Sequence, residues 1–163
     1  MNIQIISCGG TIDKVYFDAK SSYQVGEPAA ISILSRAGVN LPPPVSVCKK
    51  DSLEMDERDR DAVSAAISAS DFERFLICHG TDTMSETARH VAAVCEKKTA
   101  VFVGSFLPAV FRETDADFNI GFALSAARLL PFGAYIAMNG EVFKAEEVRK
   151  NREAGRFERG GDS

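Results

Sequence analysis

The chain has 163 residues, 45% of them hydrophobic and 26% charged, the balance of a folded globular domain and not of a disordered segment. Its net charge of -4 works against a phosphate backbone as partner, so no nucleic acid is expected. No apolar run is long enough to span a bilayer, and the opening residues lack a basic segment followed by a long apolar one, so no membrane association is expected and the cytoplasm is the expected compartment.

In chain order, residues 2–7 read as a first strand that stops at Gly9-Gly10, a turn feeding Thr11-Ile12-Asp13. Residues 14–26 have little periodicity, and the polar piece 18–23 marks them as a mobile surface loop. Glu27-Pro28 opens a helix with proline at a tolerated first-turn position, and Gly38 ends it. Pro42-Pro43-Pro44 is a stiff connector to a second short strand, residues 45–48. After a loop at 51–55, residues 56–70 carry Val63, Ala66 and Ile67 at helical spacing.

Residues 75–78 form a short buried strand, and Gly80 lets the backbone turn sharply into a helix. Thr83 and Glu86 have the spacing of a capping box, and Lys97-Lys98 suit the negative end of that helix. Residues 99–103 are the next strand, closing at Gly104-Ser105; 117–130 read as a helix and 133–138 as a strand. Asn139-Gly140 is a strong turn signal, with 141–143 as the second arm of a hairpin, and the tail from Glu146 is polar and mixed in charge. Strands alternating with helices predict an α/β three-layer sandwich with a mostly parallel, Rossmann-like or flavodoxin-like sheet, in a single domain spanning 1–163 with a possible C-terminal β-hairpin.

Thr81 and Asp82 therefore sit at the carboxyl end of a strand beside the positive end of a helix, where open α/β sheets bind ligands and free N–H groups favour a developing oxyanion. A hydroxyl next to a carboxylate in such a turn is the start of an acyl-transfer site, although both residue types also cap helices. Cys8, Cys48, Cys78 and Cys95 lie in or beside apolar runs without a C-x-x-C pair and are expected to be reduced. His79 fixes a strand end and His90 lies on a helix surface; no spacing suggests zinc, and neither metal nor cofactor is expected. A Cys8–His79 amidase and a non-catalytic small-molecule binder, gripping a carboxylate or phosphate with the glycine turns, are rival readings.

Gly9-Gly10-Thr11-Ile12 after an apolar strand, followed by His79-Gly80-Thr81-Asp82-Thr83-Met84 with Glu86-Thr87, resembles the paired signatures of the bacterial L-asparaginase family. The resemblance continues through Tyr23, Asp51-Ser52 with Met55, Gly104-Ser105, and Met138-Asn139-Gly140 leading to Val148-Arg149-Lys150-Asn151. It covers nearly the whole chain but only the amino-terminal domain of the two-domain enzymes, and the length fits the family's short-chain form. It implies hydrolysis of L-asparagine to L-aspartate and ammonia in two acyl-transfer steps without a cofactor, with a glutamine or carrier-amide substrate as the alternative. By resemblance Thr11 is the nucleophile, Tyr23 closes over it, and Thr81, Asp82 and Lys150 are the second catalytic set. Ser52 would meet the substrate α-carboxylate, with Gly10, Asp51, Gly80 and Ser105 around it, in a homo-oligomer, dimer or tetramer. Leu53 stands where many longer relatives have a glutamine, so the substrate ammonium is left to Asp82, Glu54, Glu158 or Asp162.

The chemistry asks for similar parts. A threonine hydroxyl needs a base or nearby charge to act as nucleophile. Tyr23 can relay its proton once the loop folds down and excludes water. Backbone donors near Gly10-Thr11 and Gly80-Thr81 would each hold the oxyanion for roughly 3 kcal/mol. A lysine beside a carboxylate is held charged, whereas a base must be neutral, so Lys150 is expected to act electrostatically. All of this requires the two glycine corners to meet in space.

Overall fold

The structure is a computed structural model that describes residues 2–17 and 22–160. The apolar runs Gln4–Gly9 (β1), Arg74–Cys78 (β5), Thr99–Val103 (β6) and Gly133–Met138 (β7) are buried almost throughout, as strands covered on both faces must be. With Val45–Lys50 (β4) at one edge and Glu141–Lys144 (β8) at the other, they form one sheet in the order β4-β1-β5-β6-β7-β8. Every pairing is parallel except β7 with β8. That last pair is the predicted hairpin: Asn139 and Gly140 both take positive φ, 52° and 83°, as a tight hairpin turn requires.

The helices are Ala29–Arg36 (α1), Glu57–Ala69 (α2), Met84–Ala92 (α3) and Ala116–Leu129 (α4). α1 packs with α4 and α2 with α3, which gives the three layers expected of a mostly parallel sheet. The steps from β5 to β6 through α3 and from β6 to β7 through α4 run in the same direction, yet their helices lie in different layers. One of these two crossovers is therefore left-handed, against the usual rule. The register of β1 on β5, with Ser7 opposite Cys78, brings Gly9-Gly10 and His79-Gly80 out of the sheet at the same height.

Three expectations are corrected. Residues 14–26 contain an antiparallel hairpin, Lys14–Phe17 (β2) with Ser22–Val25 (β3), in which Tyr16 faces Tyr23 across the pair; residues 18–21 of the predicted loop lie outside the described residues. The Thr83–Glu86 capping box is absent: Thr83 Oγ1 donates instead to the Ser52 carbonyl at 2.8 Å, and Glu86 reaches Arg60 at 2.9 Å. Long-range partners have taken both side chains from the local cap.

α3 also ends at Ala92, well before Lys97-Lys98. The Lys98 ammonium donates to the carbonyls of Ile67, Ser70 and Phe72, so its charge serves the carboxyl end of α2. The polar tail carries a C-terminal hairpin as well, Val148–Asn151 (β9) with Arg156–Arg159 (β10), anchored by buried Val148 and Phe157.

Candidate active site

Two glycines define the centre of the site. Gly10 has φ 92° and ψ -173°, a region essentially closed to side chains. A Cβ there would stand 2.4 Å from Gly80 N and 2.5 Å from Gly80 Cα, so the two corners touch backbone to backbone. A Cβ on Gly80 would lie 2.6 Å from Ser52 Oγ, and one on Gly104 would lie 2.5 Å from the His79 carbonyl and 3.3 Å from Thr81 Cγ2. Glycine at these positions lets the loops after β1, β4, β5 and β6 close onto one another at the carboxyl ends of the strands, where open α/β sheets place their ligands.

Thr11 begins a short 3-10 turn, Thr11–Asp13, directly after the Gly10 corner and is half-buried. The turn runs into the β2–β3 hairpin, whose base is closed by Gly26 N donating to the Asp13 carbonyl at 2.7 Å. Tyr23 stands half-exposed on that hairpin, its ring edge-on to Tyr16 at 5.5 Å and to Phe111 at 6.0 Å.

Asp13 is the buried anchor of this corner. Its carboxylate accepts from Ser7 Oγ at 3.1 Å and from Ala29 N at 2.8 Å, and so caps α1 from sixteen residues upstream. Burial pushes its pKa up to about 6 despite those two donors.

Across the Gly10–Gly80 contact, Lys150 Nζ donates at 2.7 Å to both Thr81 Oγ1 and Asp82 Oδ1. The lysine reaches there from β9, and Phe106 lies under its ammonium at 5.5 Å from the ring centroid. Arg152 Nε stands 3.9 Å from the same Asp82 oxygen. His79 is fully buried; its Nδ1 bonds the Gly80 carbonyl at 2.7 Å, and burial lowers its pKa to about 4. It therefore stays neutral and pins the turn that presents Thr81.

Ser52 is buried beside Gly80 with its Oγ lacking any partner among the described residues, held there by Thr83 from one side and by the Asp51 cap from the other. Asp51 pairs with Lys14 at 2.7 Å, an ion pair that lowers the carboxyl pKa and ties the β2–β3 hairpin to the Ser52 turn. Ser105 Oγ is used within its own loop, donating to the Leu107 carbonyl at 2.5 Å.

Of the groups named for a substrate ammonium, Glu54 closes the Asp51 capping box and Glu158 is shared by Arg156, Asn151 and Arg149. Asp82 is tied to Lys150. Asp162 lies outside the described residues.

Gly10 N donates to the Lys50 carbonyl at 3.0 Å, so that one of the expected oxyanion donors is already spent. The Cys8–His79 pair is sealed: both side chains are fully buried, Cys48 Sγ donates to the Cys8 carbonyl at 3.3 Å, and the neighbouring Cys48 thiol together with burial pushes the pKa of the free Cys8 thiol well up. His90 lies on the surface against Asp61 at 2.9 Å.

Sequence reasoning missed Asp13, Phe106 and Arg152. Their partners are set by packing across the fold and leave no local spacing to read. Among the described residues no cluster of three or more His, Cys, Asp or Glu is placed to hold a metal, and no helix is long and apolar enough to cross a membrane.

A family model described as Asparaginase, N-terminal matches residues 2–157. The chain is 30% identical over 164 residues to a probable periplasmic L-asparaginase of Haemophilus influenzae, covering 91% of this chain and 46% of that protein. It is 26% identical over 162 residues to the L-asparaginase of Thermococcus kodakarensis, covering 92% and 48%. Among solved structures, L-asparaginase I from Vibrio cholerae superposes with a TM-score of 0.80 at 24% identity, covering 97% of this chain and 51% of that one, a likeness of fold. The chain thus spans about half the length of the curated relatives it matches. Matched over nearly its whole length, it belongs to the asparaginase family, in the region of that family's amino-terminal domain.

Proposed function

We propose that residues 1–163 act as a single catalytic domain that hydrolyses the side-chain amide of L-asparagine to L-aspartate and ammonia through a threonine ester. The observation that carries this reading is the backbone contact of Gly10 with Gly80, which puts Thr11 and the Lys150–Thr81–Asp82 cluster on either side of one seam. In this reading Thr11 Oγ attacks the amide carbon and its proton passes, through Tyr23, to the departing nitrogen. The C–N bond breaks and ammonia leaves. Water then attacks the ester at the Thr81 side, giving the free acid and restoring the Thr11 hydroxyl.

The charged Lys150 donates to Thr81 Oγ1 and so favours negative charge developing on that oxygen, while Asp82 holds the ammonium in place. With Gly10 N–H spent, the Thr11 and Thr81 N–H groups are the donors for the oxyanion, roughly 3 kcal/mol each. The unpartnered Ser52 hydroxyl beside Gly80 is suited to a substrate carboxylate, since a buried hydroxyl without a partner gains most from meeting one.

The test is ammonia release from asparagine and glutamine by the purified chain, measured beside Thr11→Ala. Release from asparagine, reduced roughly a thousandfold or more by the substitution, supports the reading. Release from neither amide, or equal release by Thr11→Ala, removes it. The ratio of the two substrates sets the preference, a matter of about 1–3 kcal/mol per methylene.

A further inference from the structure

Cys8 and Cys48 are a pair of thiols that the proposed reaction does not use, and all four cysteines of the chain are free. Between the cross-strand pairs Ser7–Ser46 and Gly9–Lys50, β1 has Cys8 alone while β4 has Val47, Cys48 and Lys49. The edge strand is therefore bulged, and Cys48, the middle residue of the bulge, stands opposite Cys8. Its sulfur donates to the Cys8 carbonyl at 3.3 Å and neighbours the Cys8 thiol. Adjacent strands run about 4.7–4.9 Å apart, inside the Cα span of about 4.4–6.8 Å that a disulfide takes.

The two thiols are unequal. Cys8 is fully buried, with its pKa pushed well up by the Cys48 thiol and by burial. Cys48 is half-buried at the sheet edge, and its contact with Cys8 draws its pKa down. A partly exposed sulfur with the lower pKa is the one that meets an oxidant first. Cys78 and Cys95 are buried, and burial raises both, Cys95 to about 11.

We propose that Cys8 and Cys48 are a reversible oxidation site, at which a peroxide converts the two thiols to a disulfide beside the Gly9-Gly10 corner. Cys48 sulfur attacks one peroxide oxygen: an S–O bond forms, the O–O bond breaks, and the other oxygen leaves as water with the Cys48 proton. Cys8 sulfur then attacks the resulting sulfenic acid: the S–S bond forms, the S–O bond breaks, and a second water carries away the Cys8 proton. The sulfurs give up two electrons, which the peroxide takes, and a dithiol returns them.

The corner has no slack to absorb the new bond. Gly9 directly follows Cys8, and a Cβ there would stand 2.8 Å from Val25 Cγ1 and 2.9 Å from the Lys50 carbonyl. The same carbonyl accepts from Gly10 N at 3.0 Å. An S–S bond of about 2.05 Å is far shorter than a contact between unbonded sulfurs, so closing it draws β4 onto β1 two residues before the Gly10–Lys50 bond.

The test reads masses and amide signals, so its outcome stands apart from ammonia release. The purified, reduced chain is treated with hydrogen peroxide, digested and mapped by mass spectrometry, with amide NMR alongside. The peptides holding Cys8 and Cys48 are expected as one linked species, two hydrogens lighter than the pair, and dithiothreitol separates them. Amide signals of Gly9, Gly10 and Lys50 shift on oxidation and return on reduction, while those of β8, at the far edge of the sheet, stay in place. Cys48→Ser abolishes the link and the shifts, whereas Cys95→Ser keeps both.

Four results would overturn the proposal: thiols that all survive peroxide; a Cys48 sulfenic or higher acid that never passes to Cys8; a disulfide that takes in Cys78 or Cys95 instead; or a Cys8–Cys48 link that leaves the Gly9 and Gly10 signals where they were.

Discussion

Gly10→Ala tests the contact on which the site depends. The new methyl would begin 2.4 Å from Gly80 N, whereas ordinary van der Waals contact starts at 3.4 Å, so the corners must part by at least 1.0 Å (3.4 minus 2.4). Overpacking of this kind costs about 1–3 kcal/mol. Holding alanine at φ 92° and ψ -173° costs about 1–3 kcal/mol more. The sum, roughly 2–6 kcal/mol, is a large share of a domain's total stability of about 5–15 kcal/mol.

Because the methyl separates the Thr11 side from the Thr81 side, ammonia release should fall about a hundredfold, the usual effect of an ångström of misplacement. Gly38→Ala is the control: φ is 75° there but nothing lies within 4 Å, so it carries backbone strain alone, about 1–2 kcal/mol, and should leave activity intact. Urea midpoints and ammonia assays on both variants decide. Equal destabilisation in the two, with ammonia release from Gly10→Ala unchanged, would refute a contact between the corners that matters to chemistry.

Lys150→Met should leave the fold in place and cut ammonia release by at least about a hundredfold, and an unchanged pH–rate profile in shape and height would remove Lys150 from the mechanism. Asp13 and His79 act on stability in opposite senses. Asp13, raised from 3.8 to about 6, favours the fold below pH 3.8, an advantage lost as pH rises through about 6. His79, lowered from 6.5 to about 4, costs stability as pH falls from 6.5 toward 4.

The two nearly cancel in the native chain, whereas Asp13→Asn should expose the His79 dependence, with stability rising by about 3 kcal/mol between those limits. Denaturant titrations across that range test this, and parallel curves for the native chain and the variant would contradict it. Thr83→Val should cost about 1 kcal/mol by taking one of its two donors from the Ser52 carbonyl and leaving it the longer bond from Met55 N, and a ligand-free melting temperature equal to that of the native chain would show the Thr83 bond to be idle. Lys98→Met leaves three carbonyls near the end of α2 without their shared donor and should lower the urea midpoint, whereas an unmoved midpoint would deny Lys98 that role.

Short apolar runs bounded by glycine were enough to place β1, β5, β6 and β7, because a strand buried on both faces has no polar side to hide. The Asn139-Gly140 turn was legible for the same local reason: it needs two residues that tolerate positive φ. The β2–β3 and β9–β10 hairpins were not, since each is short, half-exposed and rich in charge, and its strand character comes from cross-chain pairing and a few anchors such as Phe157. The lost Thr83 cap has a related cause. A local hydrogen bond is the default only until the tertiary fold turns the side chain elsewhere, here toward the Ser52 carbonyl, to which the Thr83 hydroxyl donates.

The amino-acid order alone determined the alternation of strand and helix and the two glycine-threonine corners, because these depend on neighbours a few residues apart. Tertiary structure decided that β1 and β5 lie side by side in step, so that Gly10 rests on Gly80, and that Lys150 returns from nearly seventy residues away to Thr81 and Asp82. Those contacts depend on register and on which face each crossover takes, quantities set by burying the whole sheet at once and carried by no single stretch of chain.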